Sequence, residues 1–74
     1  MTAVHLRRID ATRNMRRFYR LDVQPDLFGG VLLVKAWGRI GTEGRSVVEH
    51  FDDATLAVAA LARHAARKAR RGYA

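Results

Sequence analysis

The sequence predicts an α+β fold, a four-stranded antiparallel sheet with one long C-terminal helix packed on one face. Three observations predict it. From Val4 to Phe51 the chain shows period-two alternation and short apolar runs, broken by turn residues, which is strand patterning. From Ala54 to about Arg71 it holds no proline or glycine and is rich in alanine, the best helix former. No long linker separates the two parts, so the helix is expected to bury its apolar stripe on the sheet within one domain spanning residues 1–74.

Each element has a local reason. Val4 to Ile9 is the weakest strand candidate, and Asp10-Ala11-Thr12-Arg13-Asn14 breaks it. Met15 to Val23 reads as the second strand, with Tyr19, Leu21 and Val23 on one face and Phe18, Arg20 and Asp22 on the other. Gln24-Pro25-Asp26 starts a turn, because proline donates nothing to a ladder and aspartate tolerates turn geometry. Gly29-Gly30 ends that loop. Val31 to Ile40 is the strongest strand, and its run Val31-Leu32-Leu33-Val34 is apolar on both faces, as in a central strand. Gly41-Thr42-Glu43-Gly44 reads as a hairpin loop and Arg45 to Phe51 as the fourth strand.

The helix carries its own signals. Asp52 is placed to cap the first free amides, and the Asp52-Asp53 pair complements the positive end of the helix dipole. Phe51 and Leu56 have the spacing of a hydrophobic staple. At about 100° per residue, Ala54, Ala57, Val58, Leu61, Ala62, Ala65 and Ala69 share one face, with Arg63, Arg67, Arg70 and Arg71 opposite. Gly72 is the expected terminator.

Composition excludes several functions. A chain of 74 residues buries roughly 60% of its unfolded surface, enough for one thin core and too little for a deep catalytic pocket. It has no cysteine, which removes disulfides and thiolate zinc clusters. No apolar run approaches the roughly 18 residues of a membrane span, and the N-terminus lacks the apolar stretch of a signal peptide. A cytoplasmic location is the simplest expectation. His5, His50 and His64 are scattered over three elements without metal-ligand spacing. Ser46 lacks a nucleophile elbow. Gly38, Gly41 and Gly44 enter a hairpin and not a helix, so they are no dinucleotide fingerprint. No catalytic residue, metal or cofactor is expected.

The charge points elsewhere. There are 14 Lys+Arg against 7 Asp+Glu, a net charge of +7. All but Lys35 and Lys68 of the basic residues are arginine, whose planar fork fits phosphate oxygens in pairs. Such a surface attracts polyanions, nucleic acid first. The basic residues cluster twice: Arg7, Arg8, Arg13, Arg16, Arg17 and Arg20 near the N-terminus, and Arg63, Arg67, Lys68, Arg70 and Arg71 on the helix. An anionic membrane is disfavoured as a partner, since the helix's apolar face is mostly alanine and buries little area. Between the clusters stands Trp37, the only tryptophan. Alternation puts Lys35, Trp37 and Arg39 on one face and Val34, Ala36 and Gly38 on the other. An indole between two cations at a strand end suits a sugar or base with phosphate alongside.

The triplet Trp37-Gly38-Arg39, within the longer stretch Trp37 to Thr42, resembles the signature hairpin of the WGR domain family. The resemblance extends to Asn14, to Phe18-Tyr19-Arg20-Leu21, and to the ending Lys68-Ala69-Arg70-Arg71-Gly72-Tyr73. It thus spans nearly the whole chain. WGR domains occur in DNA-dependent poly(ADP-ribose) polymerases, where they bind near DNA breaks beside a separate catalytic domain. There the tryptophan packs on a terminal nucleotide's sugar, and the arginine helps hold the end and communicates with neighbouring domains. The resemblance implies those places for Trp37 and Arg39. Bacterial proteins made of little else are known, and this chain looks like one.

The expected function is therefore a non-enzymatic nucleic-acid-binding module, DNA ahead of RNA, with strand ends as the finer expectation. Its expected contact residues are Trp37, Arg39, Lys35, Arg20, Arg67, Lys68, Arg70 and Arg71. The alternative is a protein-interaction domain whose open sheet face docks a partner chain through Phe18, Leu33 and Trp37.

Overall fold

Four strands, β1 (Ala3–Asp10), β2 (Met15–Pro25), β3 (Val31–Arg39) and β4 (Arg45–Phe51), pair antiparallel in the order β1-β2-β3-β4. Helix α1 (Ala54–Arg70) crosses one face. This is the expected α+β architecture. The computed structural model describes residues 2–74; Met1, the first residue of the expected span, lies outside the described residues.

Strand register decides which side chains meet the helix. Tyr19 lies opposite Leu6 and Trp37, Leu21 opposite Val4 and Lys35, and Val23 opposite Leu33. Val31 lies opposite Phe51, and Leu33 opposite Glu49. Because a strand alternates with period two, these residues all face α1. Leu21 and Leu33 are 0% exposed, and Tyr19, Val23, Val31, Ala57, Ala60 and Leu61 complete the core. The alanines let the helix sit close to the sheet, so the core is thin.

Three local expectations are corrected. Strand β2 runs on through Gln24 to Pro25, which pairs with Val31 as the last rung, where a missing donor breaks no interior bond. The turn is Asp26–Gly30: the Asp26 side chain accepts the Phe28 N–H at 3.2 Å, its carbonyl accepts the Gly29 N–H at 3.3 Å, and Gly29 takes φ +97. Asp53, not Asp52, caps α1, its side chain accepting the Leu56 N–H at 3.0 Å. That shift moves the staple positions off Phe51 and Leu56, and Leu56 is exposed. Finally, the buried stripe of α1 runs through Ala57, Ala60 and Leu61 and on to the half-buried His64 and Lys68, while Val58, Ala62 and Ala69 are exposed. Alanines on several sides of a helix do not fix its rotation, so the sheet's own side chains decide it.

The C-terminus is tied down twice. Gly72, at φ +93, sends its N–H to the Ala69 carbonyl, and Tyr73 sends its N–H to the Lys68 carbonyl, both at 3.1 Å. These are the paired bonds of a Schellman ending. Ala74 then exchanges two backbone hydrogen bonds of 2.9 Å with Arg7 and covers part of the β1 edge.

The β3–β4 loop folds back over the sheet face away from the helix. A Cβ on Gly38 would lie 2.7 Å from the Gly44 Cα, and one on Gly44 would lie 2.1 Å from the Trp37 carbonyl oxygen. Gly44 also takes φ +70, whereas Gly41, at φ +94, faces open space. Both substitutions strain the backbone, but only one also collides. Gly44→Ala should therefore destabilise by ~2 kcal/mol or more in urea unfolding, and Gly41→Ala by only ~1 kcal/mol.

Candidate nucleic-acid interface

The end of the sheet opposite the Asp26–Gly30 turn gathers an aromatic group. Tyr19 is held in the core by β2, and Trp37 sits across from it on β3, with ring centroids 6.5 Å apart. Tyr73, placed by the turn after α1, meets Tyr19 edge-on at 6.3 Å. The Lys68 ammonium lies 4.6 Å above the Tyr19 ring and 5.4 Å from the Tyr73 ring, a cation–π arrangement that locks the last turn of α1 to the sheet. Trp37 is half-buried, packed against the core on one side and open on the other.

Two clefts meet at Trp37 and Lys68. The larger, about 480 Å³, is lined by Arg13, Met15, Arg17, Arg39 and Tyr73 with that shared wall. Its rim is built by the turn at Ala11–Arg13, where Asn14 takes φ 51 and its carbonyl accepts a 3.4 Å hydrogen bond from Arg39 Nη1. Arg17 and Arg39 are cross-strand partners, so two guanidinium groups leave the same face side by side. The smaller cleft, about 280 Å³, adds Tyr19, Lys35, His64, Arg67 and Arg71.

Positive charge here is mostly uncompensated, the exception in the larger cleft being Arg13, which lies 3.6 Å from the Asp10 carboxylate. Among the described residues, no carboxylate pairs with Arg17, Arg39, Arg67, Lys68 or Arg71. Partial burial holds the Lys68 amine below the ordinary lysine value, and Arg71, Arg67 and Arg17 push the same way. Lys35 differs: 17% exposed, it is paired with Glu49, whose carboxyl is held below its usual range mainly by that hydrogen bond. His64 Nε2 approaches the same carboxylate at 3.7 Å. Burial nonetheless lowers the His64 pKa, Lys35 adding to the effect and Glu49 opposing it.

Of the eight expected contact residues, the structure brings Trp37, Arg39, Lys68, Arg67 and Arg71 around these clefts. Lys35 is present but spent on Glu49. Arg20 alternates to the other face of the sheet and lines a separate hollow of about 250 Å³ with Phe18 and Thr42. Arg70 lies in an outer groove of α1 with Arg63. Arg67 and Arg71 were expected opposite the packed face, and the rotation of the helix brings them to its flank. Sequence reasoning left out Arg13, Arg17 and Tyr73. The signal for Arg17 was its parity with Tyr19, and for Tyr73 its place just beyond the Gly72 terminator. The alternative docking centre does not form: Leu33 is fully buried under α1, and Phe18 and Trp37 point to opposite faces.

Among the described residues no group of side chains could hold a metal ion, and no helix is long and apolar enough to cross a membrane. Fold and site together define a small α+β module presenting a basic, aromatic cleft. Residues 2–74 match the WGR domain, and the chain belongs to that family, one of binding modules for nucleic acid and not of catalytic domains. It is 40% identical over 70 residues to the uncharacterized protein y4dW of Sinorhizobium fredii, an alignment covering 95% of this chain and 34% of that protein. The chain thus spans about a third of that curated relative. No solved structure matches.

The histidine and glutamate shifts have a stability consequence. Both groups bind protons more readily unfolded than folded, so stability is complete above the unfolded pKa values and is lost as pH falls through the folded ones. His64 acts first, starting below its unfolded value of about 6.5, and Glu49 follows below about 4.5. Thermal unfolding midpoints should fall as pH is lowered from about 7 to about 5, and His64→Gln should flatten that part of the curve.

Proposed function

We propose that the protein binds nucleic acid, DNA in preference to RNA, by seating phosphates on Arg13, Arg17, Arg39 and Lys68 while a sugar or base packs on Trp37. The observation that carries this reading is the convergence of the sole tryptophan in one cleft with Arg17, Arg39 and Lys68, none of which has a carboxylate partner among the described residues. Membership of the WGR family supports it. Arginine forks suit phosphate, and an aromatic face accepts any sugar or base, so the site favours position over sequence. Strand ends fit better than duplex interiors, because Trp37 stands at the end of β3 and a half-buried ring reaches a sugar only where the duplex stops.

If three to five phosphates are neutralised, log K should fall against log salt with a slope of about −3 to −5. Arg39→Gln should reduce that slope by about 1 and Arg20→Gln, on the other face, should leave it unchanged. A slope near zero for the unmodified protein would remove the electrostatic account.

Trp37→Ala should weaken binding to a blunt, terminally phosphorylated duplex roughly fivefold, since packing on a sugar sits near the low end of the ~1–3 kcal/mol of base stacking. Binding to a closed circle of equal length should change less. Equal losses on ends and circles, in a variant whose circular dichroism shows it folded, would make Trp37 a general contact and overturn end recognition. Should Trp37→Ala unfold, Trp37→Leu keeps the packing volume and serves the same comparison.

A further inference from the structure

The end of the molecule remote from the cleft has an unused feature. Leu27 and Phe28, at the tip of the β2–β3 turn, are 96% and 93% exposed. They are not frayed: the Asp26 bonds to Phe28 and Gly29, and a 2.9 Å bond from the Asp26 N–H to the Gly30 carbonyl, hold the turn with both side chains outward. Two adjacent large apolar side chains presented by an ordered turn are the form of a docking knob.

Charge says what such a knob can meet. No lysine or arginine occurs from Leu21 to Val34 or from Ser46 to Ala62, and those stretches hold Asp22, Asp26, Glu49, Asp52 and Asp53. Glu49 is paired with Lys35, and Asp26 lies 3.7 Å from His50; no lysine or arginine pairs with Asp22, Asp26, Asp52 or Asp53 among the described residues. The tip therefore sits in an acidic end, which repels nucleic acid and anionic bilayers alike. Its complement is a basic surface with an aromatic hollow, and the chain carries one. The cleft floored by Trp37, Tyr73 and Met15 and rimmed by Arg17 and Arg39 is apolar where the tip is apolar and positive where the tip's surroundings are negative. Strand β3 separates the two ends by roughly 20 Å between Val31 and Trp37, at about 3.3 Å per residue, so a tip cannot reach its own cleft.

We propose that the Leu27–Phe28 tip of one copy docks in the basic aromatic cleft of a second copy. The contact is heterologous, joining different patches at opposite ends of a molecule 45 Å long, so it propagates head to tail instead of closing as a dimer. It occupies the cleft assigned above to nucleic acid, and free protein would hold that cleft in reserve. A contact made by a two-residue tip is smaller than the ~1,200 Å² of a standard stable interface, so weak association is expected, with dissociation constants on the order of 10 µM to 1 mM.

The test is sedimentation equilibrium of nucleic-acid-free protein at low salt. Weight-average mass should rise at least about twofold between about 10 µM and about 1 mM without a plateau, and the rise should shrink as salt screens the contact. Leu27→Ser/Phe28→Ser, which lacks the knob, and Arg17→Glu/Arg39→Glu, which reverses the cleft's charge, should each stay monomeric. Mixed, they should form a 1:1 dimer and stop there, because one supplies the tip and the other the cleft. Should the charge-reversed variant fail to fold, Arg17→Gln/Arg39→Gln, which removes the rim's charge and relieves the cross-strand repulsion, takes its place. A chain that stays monomeric at about 1 mM, a knobless variant that associates like the parent, or a mixture that stays monomeric would each overturn the proposal. So would tip-dependent binding of the monomer to neutral phosphatidylcholine vesicles, which would give the knob to a bilayer. None of these readings uses nucleic acid, so the nucleic-acid assignment can fail or hold separately.

Discussion

The docking of the last helical turn onto Tyr19 is the interaction on which the rest depends. Lys68 lies above that ring, Tyr73 meets its edge, and the Gly72 turn delivers Tyr73 and then Ala74 to the outer strand. The core under the helix contains few large side chains, so an alanine-rich helix gains little from apolar burial alone. Aromatic and cation–π contacts at the C-terminal end supply what the alanines lack. They also place an ammonium and a phenol in the wall of both clefts. Fold closure and site assembly are thus one event, and a change at Tyr19, Lys68 or Tyr73 acts on both.

Much of this was legible in the chain. The alternation around Tyr19, Leu21 and Val23 fixed the packed face of β2, and the same parity put Trp37 and Arg39 together on β3. What was not legible has physical reasons. Ala54, Ala57, Val58, Leu61, Ala62, Ala65 and Ala69 share a face by periodicity, but alanines fit almost any rotation, and the inward turn of Lys68 depends on the rings of Tyr19 and Tyr73, which lie outside the helix. Lys35 was grouped with the contact cations because a sequence shows a charge but not its partner across the sheet. Arg20 belongs to the N-terminal basic cluster and to the motif stretch Phe18-Tyr19-Arg20-Leu21, yet its one-residue offset from Tyr19 turns it to the other face. Asp52 and Asp53 are equivalent as caps until the first helical turn is fixed.

The triplet Trp37-Gly38-Arg39 divides its labour across the sheet. Trp37 and Arg39 project toward the clefts, while Gly38, between them, faces the other way and has no room for a side chain because Gly44 lies against it. The tight return of the β3–β4 loop over Phe18 therefore sets the conformation of the strand that carries the tryptophan. A glycine at this position is thus as necessary to the shape of the cleft as the residues that flank it.

Charge segregation imposes a last constraint. Arg17 and Arg39 are direct cross-strand neighbours, and like charges in that position oppose folding. Arg67, Lys68 and Arg71 add to the same field, and the Lys68 amine is lowered first by its burial and then by the neighbouring arginines. Of the acids that could relieve this repulsion, Asp10 is taken up by Arg13, while Asp22, Asp26, Asp52 and Asp53 lie at the other end. A distribution chosen for stability alone would interleave the two signs. Here the cleft is left in electrostatic deficit, which a bound anion would relieve. Anion binding and stability are therefore linked: whatever fills the cleft binds the folded state alone and shifts the folding equilibrium toward it.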